Sequence, residues 1–340
     1  MTLVLAVEID GVGVDPAVLR RTAEIAERAG FNLVTLEDDL VTPGRIGGVE
    51  RAAFIAAATS VLGVAPVVAT TYTEPFHISS QLASLDHVSA GRAGWIVAAS
   101  PDPAVAAAWG RPVADLAQEA LDSVRVVREL WDSWEDDAVV RDVATGRYLD
   151  QDRLHYIDDT AATYSVKGPA IVPRPPQGQL VVLAPRGLLA GDVDVDVTLI
   201  GGVNVDEIQA LASTLSTPRT FVNIDVALDT AAADGADRAA TSIAERTAHP
   251  AWGSRGHLRY TGSSEGFVAL LRELDARGGV DGVRLHPLAL DDDLAVLSQY
   301  TLPGLHRARI VNRTLPGTTL RQTLGLPRPV NRYATAGGAA

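Results

Sequence analysis

The chain has 340 residues, of which 47% are hydrophobic, so it can bury a large core and form either one barrel or two smaller domains. Its formal net charge of -13 argues against a nucleic-acid partner, because phosphate binding depends on clustered lysine and arginine. The absence of cysteine excludes disulfides, thiolate metal ligands and thiol catalysis, so any redox chemistry would require a bound organic cofactor.

The chain carries no signal for a membrane or for export. No apolar run is long enough to span a bilayer, and the first residues, 1–5, lack the basic region of a secretory signal. We therefore expect a protein that stays in the cytoplasm and does not associate with membranes.

The first third of the chain alternates short apolar runs with amphipathic stretches. A predicted strand at 3–9 is followed by Asp15 and Pro16, an N-cap and a proline at the first helical position, and Gly30 is placed to end that helix. The unit then repeats, with strands predicted at 33–36, 64–69 and 93–98 and helices at 49–62 and from 75 onward. Strands that alternate with helices are typical of parallel βαβ units.

The rest of the chain continues the alternation after one interruption. A fourth helix is predicted from about 112 to 132, and residues 135–178, which have weak periodicity, are interpreted as an insertion that covers an active site. Further strands are predicted at 180–184, 195–200, 220–227 and 282–285, with helices near 205–215, 237–247, 265–277 and 291–307. Eight strands match a (β/α)₈ barrel, although an open doubly wound sheet would give the same alternation. We expect a single barrel domain over 1–315 and a C-terminal arm over 316–340, with a disordered tail at 335–340.

Three separated segments carry a family resemblance. Residues 70–95 contain the stretches TTYTEPFH, QLASLDHVS and GRAGW. Residues 164–169 lead into the proline-rich stretch 172–178, and residues 317–321 lead into 324–329. In this order the segments resemble the luciferase-like flavin monooxygenases, in the branch of nitrilotriacetate monooxygenase component A. The resemblance implies a (β/α)₈ TIM barrel, and it decides between the two architectures.

The resemblance also implies a flavin site at the carboxyl ends of the strands, where barrels of this type carry their functional groups. Asp38 follows the second strand, and Thr70 and Thr71 follow the third. By resemblance all three border an FMN. Taken alone, Asp38 would simply cap a loop, and the threonines would be ordinary strand residues.

Several positions depart from the family pattern. Ile96 replaces an asparagine beside the flavin ring, and Val113 and Ala117 replace a histidine and a tyrosine at the phosphate end. After the fifth strand, a hydroxyl-rich turn is replaced by Arg186 and Gly187, and the helix that follows it in the family is missing. Arg186 could bind the phosphate instead, although a lone arginine on a loop is more often a surface ion-pairing residue.

The resemblance implies a monooxygenase that uses O₂ and reduced FMN, supplied through transient contact with a separate flavin reductase, to oxygenate a small organic substrate. It also implies a homodimer or homotetramer. Two alternatives stay open: a flavin-free paralogue that serves as a non-catalytic binding or partner subunit, and a deazaflavin cofactor, whose different tail would relax the phosphate requirement. The predicted cofactor-binding residues are Asp38, Thr70, Thr71, Ile96, Arg186 and Gly187. No catalytic residue is assigned, and no metal site is expected, because no pair of histidines has metal-ligand spacing with a third partner.

Overall fold

The computed structural model describes residues 2–9, 15–38, 40, 44–110, 112–162, 164–189, 195–231, 233–245 and 256–334. Its strands, in chain order, are β1 (Val4–Glu8), β2 (Leu33–Leu36), β3 (Gly63–Ala69), β4 (Gly94–Ala98), β5 (Val139–Asp142), β6 (Arg147–Leu149), β7 (Asp159–Thr160), β8 (Ser165–Val166), β9 (Val181–Pro185), β10 (Val197–Ile200), β11 (Arg219–Leu228), β12 (Leu258–Gly262) and β13 (Gly282–Pro287). Its α-helices are α1 (Pro16–Ala29), α2 (Gly48–Ala58), α3 (Pro75–Val88), α4 (Pro103–Trp109), α5 (Leu116–Asp132), α6 (Val205–Ala212), α7 (Gly235–Glu245), α8 (Ser264–Arg277), α9 (Leu290–Val296), α10 (Leu302–Ala308) and α11 (Leu320–Thr323). A 3₁₀ turn occupies Gln151–Arg153, and a π-helical turn at Leu297–Thr301 joins α9 to α10.

Eight of the strands in these ranges close into a parallel barrel. Their order around the ring is β1, β2, β3, β4, β9, β10, β11 and β13, and β13 pairs back to β1. The (β/α)₈ prediction is confirmed, and the ends of each predicted barrel strand agree with the observed ones to within two residues. The first helix begins as predicted, because Asp15 accepts a hydrogen bond from Ala17 N and Pro16 is its first residue. Gly30, at φ 101°, ends that helix in the left-handed conformation.

Side chains alternate along each barrel strand between the interior and the outer layer. In β11, Val222 and Ile224 point outward and join the core that packs against the surrounding helices. Phe221 points inward and meets inward-facing residues of β1 and β2, such as Val4 and Leu33. The amino half of the barrel is therefore filled with apolar side chains.

The C-terminal arm closes this amino end. Leu320 lies close to Gly63 and Gly94, the first residues of β3 and β4, and is 1% exposed. Its backbone N–H donates to Gly91 O at 2.9 Å. The arm is thus an integral part of the barrel as far as residue 334, and the predicted tail at 335–340 lies outside the described residues.

Among the strands of the large parallel sheet, β12 was absent from the sequence prediction. It pairs with β11 over 224–228, whereas β10 pairs with β11 over 219–222. β13 pairs with one edge of β11, so β10 and β12 share the opposite edge, with β12 beyond the end of β10. β12 therefore extends the barrel wall at the carboxyl end.

The insertion at 135–178 forms two short antiparallel hairpins, β5 with β6 and β7 with β8. Trp134, Val166 and Ala170 pack with Val126 and Leu130 of α5 in a separate apolar cluster. The insertion therefore lies along α5. Within the described ranges, no helix is long and apolar enough to cross a membrane.

Candidate active site

The carboxyl ends of the barrel strands surround a cavity of about 650 Å³. Its size is in the range of small-molecule and cofactor sites, and its position is where barrels of this kind place their functional groups. Among the described residues, none that lines this cavity comes from the insertion at 135–178, so a covering role of the insertion stays a prediction.

One side of the cavity is apolar. Its lining includes Val67 of β3, Ile96 and Ala98 of β4, and Leu199 of β10, which we call the apolar wall. Ile96 is only 2% exposed, but it lies at the edge of the open volume and does not fill it. Such a surface favours the face of a flat, apolar group.

The opposite side is polar. Near the carboxyl end, the inward side chains of β1, β2, β11 and β13 are charged or can form hydrogen bonds. Together with Glu37 and His257, these side chains form what we call the polar wall. Its members are Glu8, Thr35, Glu37, Asn223, Asp225, His257, Arg284 and His286.

Arg284 organises one half of the polar wall. Its Nε donates to Thr35 Oγ1 at 2.9 Å, and its Nη2 donates to Glu8 Oε2 and Glu37 Oε1, each at 2.7 Å. Arg284 is 5% exposed, so two carboxylates compensate a guanidinium that has little access to water. These bonds fix the guanidinium in one orientation at the cavity.

His286 lies beside this network and is 6% exposed. Its Nε2 is 3.2 Å from Asn223 Oδ1. Its Nδ1 is 3.0 Å from Glu8 Oε2 but is not aligned for a hydrogen bond, so Nδ1 has no hydrogen-bond partner among the described residues. Burial, and then the charges of Arg284 and His257, lower the pKa of His286 well below its usual value. The ring is therefore neutral at physiological pH.

Asp225 and His257 form the other half of the polar wall. His257 Nδ1 lies 2.8 Å from Asp225 Oδ1, and Asp225 is 3% exposed. The rings of His257 and His286 are stacked at a tilt of 33°, with centroids 4.6 Å apart. The fold thus joins one carboxylate and two imidazoles that are far apart along the chain.

The predicted threonines hold strand ends together. Thr70 Oγ1 donates to Ala98 O at 2.9 Å, and Thr71 Oγ1 accepts from Ser100 N at 2.9 Å. Both are almost fully buried, at 1% and 0% exposed. Their hydroxyls fasten β3 to β4 at the cavity rim, and neither residue lines the cavity.

Asp38 lines a second cavity of about 300 Å³, which adjoins the first because both share Val67. Its carboxylate accepts a hydrogen bond from Gly48 N and so caps the start of α2. Trp109 and His77 lie on the other side of this smaller cavity. Asp38 therefore sits at the site, but one cavity away from the polar wall.

Arg186 lines the larger cavity at its rim. Its backbone N–H donates to Leu199 O at 2.9 Å, and its exposed side chain has no ion-pair partner among the described residues. Gly187 follows it in the left-handed region, at φ 78°. Residues 186–189 form a turn, and 190–194 lie outside the described residues. Val113 and Ala117 do not line either cavity.

The start of α6 also faces the larger cavity, but two of the amides there are already used. Glu207 N donates to Asn204 Oδ1 at 2.8 Å, and Val203 N donates to Glu207 Oε2 at 2.9 Å. The carboxylate of Glu207 would also repel an anion. A phosphate at this cavity would therefore be favoured near Arg186 and disfavoured at α6.

The sequence analysis did not identify Asn223, Asp225, His257 or Arg284. A signal was present for three of them, since Asn223 and Asp225 alternate with apolar residues in β11 and Arg284 does so in β13. This period-two pattern places them on the interior face with Phe221. His257 carries no such signal, because β12 was not predicted.

Comparisons with known proteins identify the family. The family model for luciferase-like monooxygenases matches residues 4–257. N-acetyl-S-(2-succino)cysteine monooxygenase of Bacillus subtilis (strain 168) is 27% identical over 401 residues, covering 93% of this chain and 91% of that protein. One of the subunits of pristinamycin IIA synthase of Streptomyces pristinaespiralis is 30% identical over 339 residues, covering 98% and 97%. The chain therefore belongs to the luciferase-like monooxygenase family, as its motifs indicated.

The branch named from the motifs is also represented. Nitrilotriacetate monooxygenase component A of Aminobacter aminovorans is 40% identical over 135 residues, covering 38% of this chain and 30% of that protein. Among solved structures, a long-chain alkane monooxygenase superposes with a TM-score of 0.80 at 17% identity, covering 95% of each chain. At that identity the superposition supports the fold alone, and it agrees with the closed barrel.

Proposed function

We propose that this chain is the oxygenase of a two-component flavin system. It would bind reduced FMN supplied by a separate flavin reductase and use O₂ to oxygenate a small organic substrate. The observation that supports this best is the open cavity at the carboxyl end of the barrel, with an apolar wall facing a polar one. A homodimeric or homotetrameric assembly and a cytoplasmic location remain predictions.

The residues present fit the ring end of a flavin. An isoalloxazine has apolar faces and an edge of hydrogen-bonding atoms, so Val67, Ile96 and Leu199 suit its face while Asn223 and Arg284 suit its edge. The smaller cavity beyond Val67, lined in part by Asp38, suits the organic substrate. In this arrangement Asp38 borders the substrate rather than the flavin, and its predicted contact with the flavin stays a prediction.

Arg186, at the cavity rim, is the residue that we assign to binding the phosphate of FMN. Its guanidinium can bind a phosphate through two parallel hydrogen bonds, and Gly187 allows the turn that presents it. Thr70 and Thr71 act indirectly, because they keep the ends of β3 and β4 in place. We therefore keep Arg186 and Gly187 as the phosphate residues.

The remaining roles follow from the walls of the cavity. A bound reduced flavin supplies the electrons that activate O₂. The apolar wall excludes water from the reacting groups. Arg284, held by Glu8 and Glu37, orients a hydrogen-bonding group of the ligand. His286 lines the cavity and its Nε2 lies 3.2 Å from Asn223 Oδ1, so the two side chains can form hydrogen bonds with a polar group of the ligand.

A second candidate is a partner subunit that does not bind flavin. It is favoured by Ile96 in place of a polar neighbour of the ring and by the occupied amides at the start of α6. In addition, the relative that covers this chain almost completely is one subunit of a synthase. Such a chain would keep the barrel and lose the cofactor.

Titration of the purified protein with flavins separates the candidates. We expect micromolar binding of one FMNH₂ per chain under anaerobic conditions, with weaker binding of oxidised FMN; riboflavin and a deazaflavin serve as comparison ligands. No uptake of any flavin by folded protein would contradict the oxygenase and support the partner subunit. Uptake of the deazaflavin alone would support the deazaflavin alternative.

The variant Arg186→Ala tests the phosphate contact. Loss of a charged hydrogen bond should weaken FMN binding roughly tenfold or more, whereas riboflavin, which lacks the phosphate, should bind as before. Arg20→Ala, an exposed arginine on α1, is the matched control. Equal losses for FMN and riboflavin would remove Arg186 from the phosphate site.

A further inference from the structure

Two imidazoles and a carboxylate meet where β11, β12 and β13 reach the cavity. Candidate ligand atoms of Asp225, His257 and His286 all lie within 4.8 Å of one another. Two histidines and one carboxylate are a ligand set that binds zinc and other first-row transition metals. We propose that Asp225, His257 and His286 form a binding site for one divalent transition-metal ion.

The side chains are close to the spacing that such an ion requires. Ligand atoms about 2.0–2.2 Å from a metal ion lie about 3–3.5 Å from one another. Asp225 Oδ1 and His257 Nδ1 are already 2.8 Å apart. The rings of His257 and His286 have centroids 4.6 Å apart, and with every candidate ligand atom within 4.8 Å of the others the side chains need only move closer to reach a common ion.

The unpartnered nitrogen of His286 points to the same arrangement. Nδ1 is buried, has no hydrogen-bond partner among the described residues, and lies 3.0 Å from Glu8 Oε2. An ion bound at Nε2 would leave the ring proton on Nδ1, where a small rotation lets it donate to Glu8. A metal-bound histidine commonly donates its other N–H to a carboxylate in this way. Asn223 Oδ1, 3.2 Å from Nε2, would then lie beside the ion as a neutral oxygen ligand.

The site would be open to ligands. His257 and His286 both line the cavity, so the remaining coordination positions of the ion face it. Three protein ligands with an open position are typical of metal sites that bind a water or a small molecule, whereas structural sites are closed. Imidazole ligands favour Zn²⁺, Co²⁺, Ni²⁺, Fe²⁺ or Cu²⁺ over Mg²⁺ and Ca²⁺. A small molecule with a carboxylate or other anionic group would suit the open position.

The test uses the full chain without an affinity tag, freed of metal by a chelator that is then removed, and without flavin. Calorimetric titration with Zn²⁺ should give one ion per chain with micromolar or tighter affinity, and Mg²⁺ should give none. Co²⁺ should produce visible ligand-field absorption that Zn²⁺ abolishes. His257→Ala should weaken Zn²⁺ binding at least tenfold, as the loss of one ligand does.

Matched variants separate the site from other histidines. His257 is less buried than Asp225 or His286, so it is the variant best suited to leave the barrel folded, and circular dichroism checks this. His87→Ala removes an exposed histidine on α3 and should leave Zn²⁺ binding unchanged. Absence of stoichiometric Zn²⁺ binding, or binding that His257→Ala does not weaken, would overturn the proposal. Since no flavin is present, these outcomes are independent of the flavin titration.

Discussion

The two ends of the barrel are built for different purposes. At the amino end, Gln177 Nε2 donates to Asp86 Oδ1 at 2.7 Å, and Gln177 Oε1 accepts from Arg321 N at 2.9 Å. At the carboxyl end, Arg284 and His286 line the open cavity of about 650 Å³, and both lie against Glu8. The amino end is a network of buried polar contacts, although its arginines and Asp196 also border a cavity of about 540 Å³. The contacts at the amino end therefore contribute mainly to stability, and the cavity at the carboxyl end is the place for ligand binding.

The difference between the two ends explains why the family motifs identify the fold. Asp86, Gln177 and Arg321 come from the three separate motifs that carry the resemblance, and they meet at the amino end. Arg174, from the second motif, binds Asp132 of α5 and Pro329 O of the arm. The motifs therefore identify the fold, while the residues at the cavity decide the chemistry.

The largest expected effect is at the amino end. Arg321, 4% exposed, donates to Gln179 O at 2.7 Å and lies 3.0 Å from the carboxylate of Asp196, which is also buried. Arg321→Met leaves Asp196 with one fewer partner in a buried site, so we expect the free energy of unfolding in urea to fall by about 3–5 kcal/mol. Affinity for FMNH₂ should be unchanged in the folded fraction.

Arg20→Met is the control for this variant, because Arg20 forms an exposed pair with Glu24 on α1. It should change the free energy of unfolding by about 0.5 kcal/mol or less. Two results would contradict the division of roles between the two ends of the barrel. One is a change in the free energy of unfolding for Arg321→Met as small as that for Arg20→Met, and the other is weaker FMNH₂ binding by fully folded Arg321→Met.

A smaller effect concerns the pH dependence of the same network. Burial raises the pKa of Asp86 from 3.8 to about 6, despite hydrogen bonds from Gln177 and Ala93. Between these values the folded protein keeps a proton that the unfolded chain has lost. The free energy of unfolding should therefore fall by roughly 2 kcal/mol as pH rises from about 4 to 6, out of roughly 3 kcal/mol over the whole transition, and should level off near pH 7.

Urea denaturation of wild type and Asp86→Asn at pH 4.5 and pH 7 isolates this contribution. Other carboxylates affect both proteins alike, so the wild type should lose roughly 2 kcal/mol relative to the variant over this interval. Parallel pH profiles would show that Asp86 does not retain its proton.

The third effect is at the carboxyl end. Arg284→Met removes the partner of Glu8 and Glu37, and because Glu37 is 30% exposed we expect a loss of only about 2 kcal/mol in the free energy of unfolding. Unlike Arg321→Met, it should also weaken FMNH₂ binding. Arg284→Lys keeps the charge and should recover part of both losses. An unchanged FMNH₂ affinity in Arg284→Met would exclude the polar wall from the flavin site.

The sequence predicted the barrel well, for local reasons. The barrel strands are short runs dominated by apolar residues, with polar residues alternating among them in β11 and β13. Asp15, Pro16 and Gly30 bound the first helix through interactions within a few residues. By contrast β12 is a short strand, and its place depends on pairing with a distant stretch of β11. Local patterns cannot reveal such pairing.

The candidate site was predicted less completely. Arg186 and Ile96 lie at the larger cavity and Asp38 at the smaller one. Thr70 and Thr71 are at the rim, with their hydroxyls committed to strand contacts. The polar wall joins residues separated by up to 278 positions, as Glu8 and His286 are, and only barrel closure brings them together.

The most direct test of the flavin site replaces Ile96, whose side chain borders the open volume. Ile96→Trp should fill part of the cavity and Ile96→Val should leave it free, with folding of both checked by urea denaturation. We predict that the tryptophan variant loses FMNH₂ affinity at least a hundredfold and that the valine variant binds within about threefold of wild type. Equal FMNH₂ binding by wild type and Ile96→Trp would contradict the account, because the flavin could not then occupy this cavity.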